Sequence, residues 1–160
     1  MRLFCCHTHR DWNRCPPQRQ RAPKREQWTT AAASRTESGT DVSLILWDLE
    51  GTDNLNEIRS SYLLGTHAIV YVFDVSRPST FKNLRENLSI VRKRIDGVPI
   101  KVVGNKGDLK SADEVAKLLN DYNIAYDYLT SAKTGSQVDD LFERLAKTLV
   151  HDAETIQGKL

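Results

Sequence analysis

Three short polar runs hold residue types that can do chemistry. The first is Asp48-Leu49-Glu50-Gly51. A carboxylate at Asp48 can hold a magnesium ion, commonly through water, and Gly51 lets a backbone N–H approach a terminal phosphate closely. The second run is Asn105-Lys106-Gly107-Asp108. The Asp108 carboxylate can accept two hydrogen bonds from guanine's ring N–H and exocyclic amine, a pair that adenine lacks. A site built to satisfy that pair rejects the analogue without it, because a buried carboxylate would be left unpaired. Asn105 can bind purine edge atoms or brace the neighbouring loop, and the Lys106 stem can cover a ring face. The third run is Thr130-Ser131-Ala132-Lys133, where the Ala132 N–H can donate to guanine O6 and Lys133 can flank the base. Each run alone also has a plainer reading. Asp-x-x-Gly is often only a turn, Asn-Lys-Gly-Asp a solvated turn, and Thr-Ser-Ala-Lys a loop that starts a helix.

The elements that must position these runs can be read from apolar spacing. Val42–Trp47 is an apolar, β-branched-rich run ending in Asp48, and reads as a buried strand. Ala68–Phe73, Val98–Val103 and Ile124–Leu129 read as three more strands, entering Asp74, Gly104-Asn105 and Thr130-Ser131. Between them lie helical spacings. Leu55, Ile58 and Tyr62 mark one helix over Asn54–Leu64. Phe81, Leu84, Leu88, Val91 and Ile95 mark another, started by Ser76-Arg77-Pro78 and stopped by Gly97. Ser111 and Glu114 fit a capping box before Val115, Leu118 and Leu119. Ser136 is expected to cap the last helix, with Val138, Leu141, Phe142, Leu145 and Leu149 as its core face. Strand and helix thus alternate, the pattern of an α/β fold with an open, mostly parallel sheet and helices on both faces. Ligands on such sheets bind beyond the carboxyl ends of the strands, and all three polar runs fall there.

Composition divides the chain. Lys and Arg barely exceed Asp and Glu overall, 23 against 21. The first 37 residues, however, hold eight basic and three acidic side chains, so the basic character is concentrated there and the rest is mildly acidic. Residues 1–37, with Pro16, Pro17 and Pro23 among arginines, read as a largely disordered basic segment, with an edge strand conceivable over Thr29–Thr36. Residues 38–150 read as one folded domain and 151–160 as a C-terminal tail. Cys5, Cys6 and Cys15 make a poor disulfide framework and suit a reducing compartment. No apolar run has the length of a transmembrane segment, and the start is no secretory signal, so a cytoplasmic protein is expected.

Taken together and in order, Leu46-Trp47-Asp48-Leu49-Glu50-Gly51, Val103-Gly104-Asn105-Lys106-Gly107-Asp108-Leu109 and Thr130-Ser131-Ala132-Lys133-Thr134-Gly135 resemble the Ras/Rab superfamily of small GTPases. Ser61-Tyr62 and Tyr71-Val72-Phe73-Asp74 share that texture, and the resemblance covers about residues 41 to 150. It implies a Ras-like fold that binds GTP and GDP with Mg2+ as a molecular switch. By that resemblance Asn105, Asp108 and Ala132 select guanine, in the same loops as Ser131, while Lys106 and Lys133 flank the base. Asp48 serves the metal and Gly51 the γ-phosphate. Effector or regulator proteins would dock on the Gly51–Tyr62 region.

The departures are as informative. No G-x-x-x-x-G-K-[ST] run, the phosphate-binding P-loop, occurs in this sequence, and no glycine precedes Gly39. That loop normally supplies the N–H nest, the phosphate lysine and a magnesium-ligating hydroxyl. Without it, nucleotide and metal binding are expected to be weak. The family also has a central strand there, for which only Leu3–Cys6 comes close, so an exposed sheet edge is expected. A shortened product or imperfect gene model, a strand borrowed from a partner, and a true pseudo-GTPase are the competing explanations, the first being preferred. Thr52 stands where the family has its water-orienting glutamine, and Glu50 adds negative charge beside it, so impaired GTP hydrolysis is expected. Thr29 or Thr30 could serve as the switch I threonine, although two ordinary polar residues is the better reading.

The basic segment reads as a solvated tail rather than a nucleic-acid surface, with peripheral membrane association as the remaining option. Cys5 and Cys6 are weak candidates for palmitate, and with His7, His9 and Cys15 match no established zinc spacing. Gln157-Gly158-Lys159-Leu160 contain no prenylation cysteine. A pseudo-GTPase acting only as a protein-interaction module is the alternative to a nucleotide-binding switch.

Overall fold

The apolar, β-branched runs form strands because their alternate residues can face helices on both sides of one sheet. The computed structural model describes the backbone of residues 2–8, 27–35, 41–50 and 63–157, and the side chains of residues 44–49 and 63–151. Six strands, β1 (Arg2–Thr8), β2 (Gln27–Arg35), β3 (Asp41–Glu50), β4 (Ala68–Asp74), β5 (Ile100–Asn105) and β6 (Tyr128–Leu129), form one sheet in the order β2-β3-β1-β4-β5-β6. The helices are α1 (Leu84–Arg94), α2 (Ala112–Asp121) and α3 (Val138–Gln157). β4, β5 and β6 pair in parallel, and β3 shares their direction.

Side-chain alternation along β4 divides the core. Ile69, Tyr71 and Phe73 pack with Leu84, Leu88 and Val91 of α1 and Val115 and Leu119 of α2. Ala68 and Val70 face the other way, with Leu44, Leu46 and Val103, against Leu141, Leu145 and Leu149 of α3. The expected α/β sheet with helices on both faces is therefore present, and the stripes of the three described α-helices are buried or partly buried as their spacing predicts; the helix expected over Asn54–Leu64 lies almost wholly outside the described residues.

Several elements differ from the sequence reading in physically simple ways. Pro99 has no N–H, so β5 starts at Ile100 rather than Val98, while the Pro99 carbonyl accepts from Ile69 N at 2.9 Å. β6 shrinks to two residues. Upstream of it Ile124 N bonds back to Leu119 O, and the Asp127 carboxylate accepts from Val102 N at 2.8 Å. The helix expected from Pro78 begins as a 3-10 turn over Pro78–Thr80, because Thr80 Oγ1 bonds to backbone groups of Asp74 and Arg77. Ser111 and Glu114 form the full capping box at α2. Ser136 does not directly precede α3: Gln137 stands between them at φ 56°, and the Ser136 carbonyl accepts from Ser131 N.

The first segment differs most. Residues 27–35 form the edge strand β2 where one was conceivable over Thr29–Thr36, whereas residues 2–8 form a strand that was not expected. β1 fills the central place expected to be vacant, because the edges of β3 and β4 both need backbone partners there. It is antiparallel to both neighbours. α3 also runs on to Gln157, past the boundary expected at residue 150.

Candidate functional site

The carboxyl ends of β4, β5 and β6 lie side by side, and the loops leaving them are bound to one another. Thr130 N donates to Gly104 O at 2.7 Å, and Gly107 N donates to Thr130 O at 2.9 Å, extending the β5–β6 ladder into the loops. Asn105 joins them through its side chain. Its Oδ1 accepts from Lys106 N at 2.8 Å and from Ala132 N at 3.0 Å. This is the loop-bracing option of the two open to Asn105. It fixes the Ala132 amide beside the Asn105 side chain at the mouth of the site.

Asp108 is held by Ser131, whose Oγ donates to Asp108 Oδ1 at 2.6 Å. Ser131 is buried and also receives Thr134 N at 3.2 Å, so its hydroxyl is a fixed peg rather than a surface group. The Ser131 bond lowers the pKa of Asp108 against the opposing effect of burial, with help from its own backbone N–H and the charges of Lys133 and Lys106. The carboxylate is exposed and ionised, as a group that accepts from a base must be.

Two glycines explain why the loops can approach. A Cβ on Gly104 would lie 3.0 Å from Val75 Cγ1 and 3.1 Å from Phe73 Cζ. A Cβ on Gly107 would meet Leu129 Cγ at 2.9 Å. Lys106, between them, is in the left-handed region at φ 68°, which costs a non-glycine residue energy that the surrounding bonds must offset.

Lys106 carries a contact that the sequence reading missed. Its Nζ lies 2.6 Å from Asp74 Oδ2 at the end of β4. Burial works to raise the Asp74 carboxyl, but the bonds from Lys106 and Ser76 outweigh it and hold the pKa below the ordinary value. The available signal was a second apolar strand ending in an acid, as β3 ends near Asp48.

The structure therefore brings together Asn105, Lys106, Asp108, Ser131 and Ala132, with Lys133 exposed beside them. Asp48 lies in β3, separated from β5 by β1 and β4, with its Oδ1 buried. Gly51, Thr52 and the Gly51–Tyr62 region lie outside the described residues, as do His9 and Cys15. The side chains of Glu50, Thr29, Thr30, Cys5, Cys6 and His7 also lie outside them.

The residue types suit a guanine base: a carboxylate held by Ser131, a backbone amide held on Asn105 and a lysine stand in two adjoining loops. The phosphate half does not fit in the same way. β1 enters the sheet with Arg2 level with Glu50 and Thr8 level with Leu44, so its carboxyl end lies at the end of the sheet opposite the loops after β5 and β6. Among the described residues no group of three or more His, Cys, Asp or Glu side chains could hold a metal ion.

Comparison with known proteins agrees with this geometry. The sequence model of the Ras family matches residues 24–151. The Ras-related protein Rab-1A of Dictyostelium discoideum is 35% identical over 119 residues, 68% of this chain and 56% of that protein. The GTP-binding protein ypt1 of Schizosaccharomyces pombe is 31% identical over 121 residues, 69% of this chain and 57% of that protein. The GTP-binding protein YPTM2 of Zea mays is 34% identical over 118 residues, 71% of this chain and 58% of that protein. The chain spans about half the length of the curated relatives it matches. With a family match across most of its length and the matching loops on adjoining strands, this chain belongs to the Ras family.

Proposed function

We propose that the chain is a guanine-nucleotide-binding domain of the molecular-switch type, reading the base of GTP or GDP with the loops after β5 and β6. The observation that carries this reading is the Ser131–Asp108 bond at 2.6 Å beside the Ala132 amide fixed on Asn105. In the proposed complex the Asp108 carboxylate accepts from the ring N–H and exocyclic amine of guanine, and Ala132 N–H donates to O6. Taking up O6 requires the Ala132 amide to share or leave its bond to Asn105, which frees Asn105 to turn toward the purine edge. Lys106 and Lys133 flank the base, Gly51 approaches the γ-phosphate and Asp48 serves Mg2+. Bound magnesium would supply charge neutralisation at the phosphates.

The absence of a P-loop run from this sequence supports weak binding of phosphate and metal in this form, since phosphate contacts ordinarily come from that nest. Thr52 in the glutamine position supports slow hydrolysis. Effector or regulator proteins are proposed to bind the Gly51–Tyr62 region, and a cytoplasmic site with peripheral membrane association is the proposed location. No helix among the described residues is long and apolar enough to cross a membrane.

The direction of β1 favours a second reading, a pseudo-GTPase that serves as a protein-interaction module, because that strand does not run toward the base-reading edge. Asp108→Asn separates the two. A nucleotide binder carrying it shifts preference from guanine toward xanthine, whose extra ring carbonyl accepts where guanine's amine donates. A module without a base site shows no nucleotide effect of the substitution.

A further inference from the structure

The Lys106–Asp74 pair is not needed to read guanine edges, yet it is among the shortest polar contacts around the site. Both Asp74 carboxylate oxygens are engaged. Oδ1 accepts from Ser76 N at 2.9 Å and from Ser76 Oγ, while Oδ2 faces Lys106 Nζ at 2.6 Å. Arg77 Nε stands farther off, at 3.6 Å, on a side chain that is 69% exposed, so Lys106 is the principal counterion. The Asp74 side chain is 15% exposed and the Lys106 side chain 43%, so the pair is covered at its acidic end and reaches water at the lysine.

The surrounding backbone shows what the pull acts on. Lys106 is bent into the left-handed region, and its loop is fastened to β6 by Gly107 N–Thr130 O and by Asn105 Oδ1. On the β4 side the backbone tie is Val75 N to Asn105 O at 3.1 Å. Asp74 and Asn105 are register partners in the parallel ladder. The lysine side chain therefore leaves the end of β5 and is drawn laterally to the end of β4.

We propose that Asp74 is a positioning residue for Lys106, drawing its ammonium to the end of β4 so that the lysine stem forms a fixed wall of the purine slot. This rests on the guanine-binding reading above. Asp74 does not touch the base; it acts through Lys106 by removing the rotamer freedom that binding would otherwise have to remove. A merely structural Asp74 would instead act through Ser76, capping the turn after β4.

The test uses the full chain with three substitutions, Asp74→Asn, Asp74→Glu and Ser76→Ala. Lys106 reactivity is measured by acetylation with limiting reagent and peptide mass spectrometry, with Lys133 as internal reference, and GDP and ADP affinities are measured in parallel. The proposal expects Asp74→Asn to raise Lys106 labelling severalfold with Lys133 unchanged. It also expects GDP affinity to fall by up to about tenfold, the factor set by immobilising one rotamer-rich side chain on binding. The preference for GDP over ADP should survive, Asp74→Glu should recover part of both effects, and Ser76→Ala should produce neither. Should Asp74→Asn fail to fold, Lys106→Met keeps the stem without the ammonium and is expected to weaken GDP binding to the same extent. Unchanged labelling, or equal weakening by Asp74→Asn and Ser76→Ala, overturns the proposal. A wild-type chain that binds no GDP overturns the guanine reading and the slot-wall role with it, whereas GDP binding untouched by Asp74→Asn or Lys106→Met overturns the positioning role alone.

Discussion

Gly104→Ala probes how tightly the loop after β5 is built onto the core. The new Cβ would stand 3.0 Å from Val75 Cγ1 and 3.1 and 3.3 Å from Phe73 Cζ and Cε2, against about 3.5–4.0 Å for relaxed carbon contacts. Phe73 has little room to yield. It is buried and packs edge-on to Phe81 at 5.4 Å, and Phe81 packs in turn on Tyr122 at 5.2 Å. Overpacking of this kind costs about 1–3 kcal/mol. Gly104 is not among the positive-φ residues, so alanine suits its backbone, and the reduced freedom of the unfolded chain returns about 0.4–1 kcal/mol. The expected net loss is about 1–2 kcal/mol, read from urea unfolding followed by circular dichroism. Because two of the three close atoms belong to Phe73, Gly104→Ala should cost at least about 0.5 kcal/mol less in a Phe73→Leu background. Strict additivity of the two substitutions, or a stabilised Gly104→Ala, would refute the steric argument.

Leu145→Ala should cost about 2–5 kcal/mol, because Leu145 is fully buried between α3 and the sheet, whereas Leu109→Ala, at a side chain 56% exposed, should stay within about 0.5 kcal/mol of wild type in the same urea assay. Asn105→Ala removes the shared acceptor of Lys106 N and Ala132 N and should destabilise by about 1–2 kcal/mol while abolishing guanine selectivity in nucleotide competition. Ser111→Ala breaks the capping box of α2 and should cost about 1 kcal/mol, visible as a lower urea midpoint. Asp108 has a lowered pKa, so its ionised form is favoured in the fold, and its contribution is present at neutral pH and lost as pH falls through that lowered value. GDP affinity should therefore hold down through the ordinary carboxylate range and fall only below it. Ser131→Ala should move that fall to higher pH in a fluorescence titration.

The parts of the fold that were legible in the sequence are those fixed by local pattern. Leu84, Leu88 and Val91, or Leu141, Leu145 and Leu149, can share a helix face only if their spacing is helical, and they do. The Ser111/Glu114 box is written in two residues three apart. The clustering of Asn105, Lys106, Asp108, Ser131 and Ala132 was legible because they sit in two short runs, each at a strand end. What escaped depended on partners distant in sequence. Arg2–Thr8 has no convincing strand pattern of its own, and its place is set by the two edges of β3 and β4 on either side. The Lys106–Asp74 pair joins residues whose proximity follows only from the β4–β5 register. Tyr128–Leu129 is short because Asp127 and the end of α2 take the preceding backbone groups, a competition invisible in apolar spacing.

The most direct test of the central claim is a titration of the purified, folded chain with fluorescent GDP in magnesium, with unlabelled GTP and ATP as competitors. Saturable but weak binding that GTP displaces and ATP does not is expected, and would show a guanine-reading site that works without a P-loop. No binding up to high micromolar nucleotide from a folded sample would contradict it and leave the protein-interaction module as the reading for this chain.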